Sequence, residues 1–231
     1  MKTGYLMRML SCKIRFAGVL KSLVFCMFCN ALLTGALYGN VPGTVDAVSG
    51  WFLAGAELTI TASPDPYRDV DWRDDTNNAS LTDTQMTFTV DGPREIDVVF
   101  IDQVTSQGTP LWWLAEQSGG ELTEDPEDLE NQTTASGMTM WEAYVTGMST
   151  TAPESVFAIA RVTFANGKPV LEWNHDSTPP RPIRIQFKTD LMDQEEEWDT
   201  VGTVDAEGGT NFFDDHDPQG VRGYYRLSVD L

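Results

Sequence analysis

The chain has 231 residues, with 35 acidic and 15 basic side chains and a formal net charge of −20 at pH 7. A surface this acidic repels nucleic acids and anionic lipid headgroups, so neither is expected as a partner. All three cysteines lie within the first 30 residues. The rest of the chain therefore has no disulfide framework, zinc–thiolate site or cysteine nucleophile.

Residues 1–39 are predicted to be a signal peptide. They contain five basic residues and no acidic one, followed by the apolar run Leu23–Leu33 and small residues around Ala36. This layout is typical of secretory signals, with cleavage after Ala36 or Gly39. The apolar run is shorter than the roughly 20 residues of a membrane span. We predict a secreted or cell-envelope protein; the alternative is an uncleaved N-terminal anchor.

Residues 41–103 are predicted to form a first β module. Apolar and polar residues alternate in Glu57–Ala62 and in Gln85–Val90, and Glu95–Ile101 supplies a further strand. Val70–Trp72 is a short strand between them. Alternation with a period of two is typical of strands with one face on a core.

The order of strands, turns and aromatic residues in this module resembles the divergent internalin-type B-repeat, a small β-grasp-like module of bacterial surfaces. The matching residues are Gly55, Leu58–Ala62, Pro64, Tyr67, Trp72, Phe88–Gly92 and Val98–Phe100. The chain departs from the pattern at Pro66–Asp69, where a glycine-rich turn is usual. The resemblance implies a spacer or adhesion role without catalytic residues. Trp72 is expected in the core.

Residues 108–150 are predicted to be a helical linker of two short helices. Thr109 and Pro110 are suited to the start of the first helix. Trp112 and Trp113 follow and cannot share a helical face, because neighbouring side chains are about 100° apart. We interpret the pair as packing residues between modules; the alternative is a platform for sugar binding.

The second helix is predicted to start at Thr139, which has the spacing of a capping box with Glu142, and to end at Gly147. The preceding loop aligns with a calcium-binding EF-hand loop when Gly137 takes its sixth position. The ligand positions are then Gln132, Thr134, Ser136 and Ala143, all neutral. Calcium requires several anionic oxygens, so no metal site is expected here.

This segment resembles the dockerin-like or thrombospondin type 3-like linkers of large secreted bacterial proteins. The residues that carry the resemblance are Gly137–Thr139, Trp141–Glu142 and Tyr144. Gly147–Thr151 stands where those linkers have an acidic turn. The resemblance implies a helix–loop–helix whose frame remains and whose calcium ligands are lost.

Residues 156–231 are predicted to form a compact, sandwich-like β domain, similar to those that follow such linkers. Asn166–Gly167 indicates a hairpin turn. Tyr225, Leu227 and Val229 are expected on one face of the last strand. The predicted strands are Val156–Phe164, Pro169–Trp173, Ile183–Phe187, Trp198–Val201 and Gly223–Val229.

Candidate sites are few. Asp214, Asp215 and Asp217 could offer oxygens to calcium, although Pro218–Gly220 favours a plain polar turn. His175 and Asp176 are placed in the proline-rich loop and are expected to be solvated. No common catalytic or phosphate-binding motif occurs, so no catalytic residue and no cofactor are predicted.

The predicted fold class is mainly β, with a β-grasp-like and a sandwich-like module joined by a short helix–loop–helix. The expected function is that of a non-enzymatic surface protein, a spacer, adhesion or interaction module whose partner is a protein or glycan. The alternative is a carbohydrate-binding accessory protein of a secreted glycosidase system, which would use Trp112, Trp113 or Trp198. No membrane contact is expected beyond the possible N-terminal anchor.

Overall fold

The computed structural model describes residues 11–20, 23–26, 43–46, 50–52, 55–74, 76–91, 95–193, 197–214 and 223–229. Within these ranges the chain is mainly β, which confirms the predicted fold class. The chain divides into two compact units. Unit 1 comprises residues up to Gln103 together with Pro110–Trp112, and unit 2 comprises Val104–Thr109 and the residues from Trp113 onward.

The described residues of unit 1 form two antiparallel sheets. Its strands are β1 (Ser11–Leu20), β2 (Leu23–Cys26), β3 (Gly43–Asp46), β4 (Gly50–Phe52), β5 (Glu57–Pro64), β6 (Arg68–Asp74), β7 (Ala79–Leu81), β8 (Gln85–Thr89) and β9 (Glu95–Asp102). One sheet has the order β4-β2-β1-β9-β6, and the other has the order β3-β5-β8-β7. Strands β1 and β2 lie within the predicted signal peptide, whose role in export stays a prediction.

The core of unit 1 is formed by the alternating apolar residues that the sequence pattern indicated. Ile60 and Ala62 of β5 and Met86 and Phe88 of β8 are buried, and β9 adds further buried residues. Trp72 of β6 packs against this cluster, as predicted. Strands β3 and β7 were not predicted, because three or four residues are too few to show a periodic pattern.

The helices in the described part of the chain are α1 (Leu111–Gln117), α2 (Pro126–Glu130) and α3 (Met140–Thr146). Both hydrogen bonds of the capping box predicted between Thr139 and Glu142 are present, and Gly147 ends α3 in the left-handed conformation with φ of 66°. Helix α2 was not predicted. The described part of the chain contains no helix that is long and apolar enough to cross a membrane.

The described residues of unit 2 from Ile159 onward form two antiparallel sheets of three strands each. The strands are β10 (Ile159–Ala165), β11 (Lys168–His175), β12 (Ile183–Lys188), β13 (Asp199–Val204), β14 (Gly209–Phe213) and β15 (Tyr224–Val229). The sheets have the orders β10-β11-β14 and β13-β12-β15. Asn166 and Gly167 both have positive φ, of 52° and 81°, as the predicted two-residue hairpin requires.

The core of the β domain in unit 2 draws on both three-stranded sheets. Leu171 and Trp173 of β11 meet Ile183 and Ile185 of β12 in one buried cluster. The three residues predicted to share a face of the last strand also pack against this cluster: Tyr225, Leu227 and Val229. Alternate side chains of β15 therefore face the core, as the sequence pattern predicted.

Candidate functional site

Trp112, the first aromatic candidate, is already in contact with a cation of its own unit. The guanidinium of Arg68 lies 5.5 Å from the centre of the Trp112 ring. Arg68 is held there by Asp102 at 2.7 Å and by Asp65 at 3.2 Å. The Trp112 side chain is half-buried, and its Nε1 is buried without a hydrogen-bond partner in the described part of the chain. This arrangement is that of a packed aromatic residue.

The other two aromatic candidates are half-buried as well. The ring of Trp113 lies 5.2 Å from that of Tyr144 at an angle of 57°, a tilted pair of the kind that stabilises helix packing. The guanidinium of Arg226 lies 4.3 Å from the centre of the Trp198 ring. Each of the three tryptophans thus contacts a different side chain of the protein itself.

The acidic candidates for a calcium site follow strand β14. Asp214 is exposed. Asp215 and Asp217 lie outside the residues that the structure describes. Among the described residues, no group of three or more His, Cys, Asp or Glu side chains is arranged to hold a metal ion.

The EF-hand-like loop before α3 is closed by hydrogen bonds between its own residues. The Thr134 hydroxyl donates to the Met138 carbonyl at 2.9 Å and lies 3.2 Å from the Ser136 hydroxyl. Gln132 donates its side-chain amide to Glu124 at 2.6 Å. Two of the polar side chains at calcium-ligand positions therefore bond within the loop, and the third bonds to a residue before α2.

A buried carboxylate that sequence reasoning missed holds the first loop of unit 2 to helix α2. Glu130, with 0% of its surface exposed, accepts hydrogen bonds from the hydroxyls of Thr105 at 2.5 Å and Thr109 at 3.1 Å. Gln107 donates to the other carboxylate oxygen at 3.1 Å. Thr109, predicted to cap α1, thus directs its hydroxyl to Glu130.

Glu127 completes this contact one helical turn earlier. It accepts hydrogen bonds from the hydroxyl of Ser106 at 2.6 Å and from the Ser106 backbone N–H at 2.8 Å. These two bonds lower the pKa of Glu127, because they favour the ionised carboxylate. Asp125 is the N-cap of α2 and Pro126 is its first residue. This pair of residues is a usual helix start and could have predicted α2 from the sequence.

His175 is buried, so the prediction that it is solvated is wrong. It is the last residue of β11, and 3% of its surface is exposed. Its Nε2 accepts a hydrogen bond from the Trp173 indole N–H at 2.9 Å, and its Nδ1 lies 2.6 Å from the carbonyl oxygen of Thr146. The proline-rich loop begins only after this residue, and the histidine side chain alternates inward with Leu171 and Trp173.

The residues after His175 dock on the end of helix α3. The Gly147 carbonyl accepts hydrogen bonds from the backbone N–H groups of Asp176 at 3.0 Å and Ser177 at 2.9 Å. The Asp176 carboxylate accepts from the Ser149 N–H at 2.9 Å and from the Ser155 hydroxyl. The end of α3 and the end of β11 are therefore fastened to each other by backbone and side-chain bonds.

Shallow depressions occur in each unit of the described part of the chain. The one in unit 1 has a volume of about 150 Å³ and is lined by Arg68, Asp69 and Asp83. The one in unit 2 has a volume of about 260 Å³, with Gln117, Glu124 and Gln132 among its polar lining residues. Leu129 and Met140 add apolar surface to the second depression.

One family model matches part of the chain. Residues 36–103 match the family model of the divergent InlB B-repeat domain, in agreement with the predicted resemblance. No curated protein and no solved structure matches the chain. The dockerin-like character of residues 108–150 and the relationship of residues 156–231 to other C-terminal domains stay predictions.

Proposed function

We propose that the chain is a non-enzymatic, exported surface protein in which the B-repeat module serves as a spacer or interaction module. The observation that carries this proposal is the match of residues 36–103 to the divergent InlB B-repeat domain, a family typical of bacterial cell-surface proteins. The match begins at residue 36, close to the end of the predicted signal peptide.

The use of carboxylates in unit 2 supports this proposal. Glu130 and Glu127 accept hydrogen bonds from the loop before α1, Glu142 caps α3, and Asp176 binds the segment after α3. Glu130, Glu127 and Asp176 each bond to a separate segment of the chain, whereas Glu142 bonds within its own helix. A helical segment held by hydrogen bonds between its own residues suits a structural role.

Export is tested by fusing residues 1–39 to alkaline phosphatase without its own signal, a reporter that is active only after its disulfides form outside the cytoplasm. We expect phosphatase activity in intact bacteria. The control fusion carries Phe25→Asp and Phe28→Asp, which interrupt the apolar run and should abolish activity. Equal activity of the two fusions, or none from either, would contradict the proposed export.

A second candidate function, carbohydrate binding, is favoured by the depression of about 260 Å³ in unit 2. Its amide and carboxylate groups beside apolar side chains are of the kind that bind sugar hydroxyls and ring faces. Calorimetric titration with neutral oligosaccharides tests this candidate. A heat of binding that is lost in the variant Gln132→Ala would favour carbohydrate binding. If no heat of binding is measured at millimolar sugar, carbohydrate binding is rejected in favour of the spacer function.

The tryptophans provide a separate test of the sugar-binding alternative. Trp198 sits under Arg226, so a sugar that stacked on the same ring face would have to displace the guanidinium. Trp198→Phe and Trp113→Phe should leave any calorimetric binding unchanged if the depression is the site. A loss of binding in Trp198→Phe alone would show that the sugar binds at Trp198 instead of in the depression.

A further inference from the structure

At the end of strand β11, His175 lies in a buried chain of hydrogen bonds that is compatible with only one protonation state of its ring. The Thr146 carbonyl oxygen can only accept, so His175 Nδ1 must carry a proton. The Trp173 indole N–H can only donate, so His175 Nε2 must be bare. Both conditions are met by one neutral tautomer.

A second proton on His175 would place an N–H group on Nε2, facing the indole N–H of Trp173. Two donors cannot form a hydrogen bond with each other. Because Trp173 has 0% of its surface exposed, its indole N–H cannot bond to bulk solvent instead. The ring or the indole would have to move. The backbone that follows His175 would move with it.

We propose that the chain Trp173–His175–Thr146 is an acid-sensitive contact that fastens the end of helix α3 to the end of strand β11 while His175 is neutral and loosens that junction when the ring gains a proton. The junction consists of residues 146–149 and 173–177. It includes the hydrogen bonds of the Gly147 carbonyl with the Asp176 and Ser177 N–H groups.

The groups around the imidazole determine how readily it gains the proton. Burial is the largest influence and lowers the pKa of His175, while the Thr146 carbonyl and the nearby Asp176 carboxylate act in the opposite direction. Asp176 is the charged residue beside the ring. From the other segments packed on it come the carbonyl at the negative end of α3 and the uncharged ring of Phe157, at 5.8 Å.

Nuclear magnetic resonance of the full chain tests the proposal directly. The chain has two histidines, so the variant His216→Gln leaves the single imidazole of His175. Long-range ¹H–¹⁵N spectra between pH 8 and pH 5 report its tautomer and its titration. We expect the Nδ1–H tautomer at neutral pH.

Amide hydrogen exchange of Asp176 and Ser177, expressed as protection factors, is measured on the same sample. We expect the protection of both amides to fall on the order of tenfold as the ring gains its proton. Ring titration without a change in protection would overturn the proposal, and so would an Nε2–H tautomer at neutral pH.

The variant His175→Gln is the matched control, because glutamine offers an acceptor oxygen and a donor NH₂ group and does not titrate. Its two amide protection factors should stay constant between pH 7 and pH 5. A fall equal to that of the parent chain would assign the effect to the acidic residues and overturn the proposal. The parent chain's own titration decides the question if the variant does not fold.

Discussion

The hydroxyl of Thr105 donates a hydrogen bond of 2.5 Å to the buried carboxylate of Glu130, which lies 25 residues further along the chain. The same carboxylate oxygen accepts from Thr109, and the other accepts from Gln107. A buried carboxylate requires such partners, since burial without them carries a large desolvation cost. Glu130 therefore holds the residues near both ends of the loop 104–109, and Glu127 holds Ser106 between them.

Truncation of Glu130 should destabilise unit 2 strongly. Glu130→Ala leaves the Thr105 and Thr109 hydroxyls without their acceptor and opens a cavity, so we expect the free energy of unfolding to fall by about 3 kcal/mol. Denaturant unfolding followed by fluorescence measures this change.

Asp128 is the control for Glu130, because it lies exposed on the same helix. We expect Asp128→Ala to change the free energy of unfolding by about 0.5 kcal/mol at most. Similar losses for the two variants would show that the Glu130 contacts contribute no more than a surface charge does.

Gly147 should tolerate no side chain, for two separable reasons. Its φ of 66° disfavours other residues, and a Cβ there would collide with the backbone carbonyl of Ser177. We expect Gly147→Ala to lower the free energy of unfolding by about 3 kcal/mol, because strain is added to the loss of the Ser177 contact.

A substitution of Gly137 serves as the control that separates backbone strain from steric collision at Gly147. The φ of Gly137 is 90°, but a Cβ there would meet nothing within 4 Å. We expect Gly137→Ala to cost only the backbone strain, about 1 kcal/mol. Equal losses in thermal or denaturant unfolding would mean that the approach of Ser177 to Gly147 has no energetic consequence.

Calcium should not stabilise the EF-hand-like loop. The side chain of Gln132 is bonded to Glu124, and the hydroxyls of Thr134 and Ser136 lie against each other. We expect the melting temperature in calcium to differ from that in equal magnesium by less than about 1 °C, because both ions screen the acidic surface alike. A saturable rise of several degrees with calcium alone would reveal a specific site.

Replacement of Trp173 should raise the pKa of His175. The indole N–H bonds to the bare Nε2 and thereby favours the neutral ring, so its removal in Trp173→Phe makes protonation easier. The imidazole titration measures this shift. We also expect a loss of about 2 kcal/mol in the free energy of unfolding from the cavity and the unsatisfied Nε2.

The same titration has a defined consequence for stability. The pKa of His175 is lower in the folded state than its ordinary value of 6.5, so the unfolded chain binds more protons just below that pH. The stability that His175 contributes is complete above pH 6.5 and is lost as the pH falls from there toward the folded pKa. His175→Gln should remove this part of the pH dependence, which unfolding at pH 7.5 and pH 5.5 can measure.

Residue patterns within single segments predicted the local structure of this chain well. The strands β5, β8, β9 and β12 and the hairpin at Asn166–Gly167 were read correctly, because alternation and turn geometry depend on neighbouring residues alone. The ends of α3 were predicted for the same reason, since a capping box and a left-handed glycine are local arrangements.

Only the tertiary structure decided the roles of Glu130 and His175. Nothing in the residues next to Glu130 shows that Thr105 and Thr109 will supply its donors, and nothing next to His175 shows that the Thr146 carbonyl will cover it. The sequence by itself determined the longer alternating strands, the hairpin turn at Asn166–Gly167 and both ends of α3. The burial of these polar groups depends on partners that lie 20 to 30 residues away in the chain. Such partners are brought close only by folding, so they produce no periodic pattern in the neighbouring sequence.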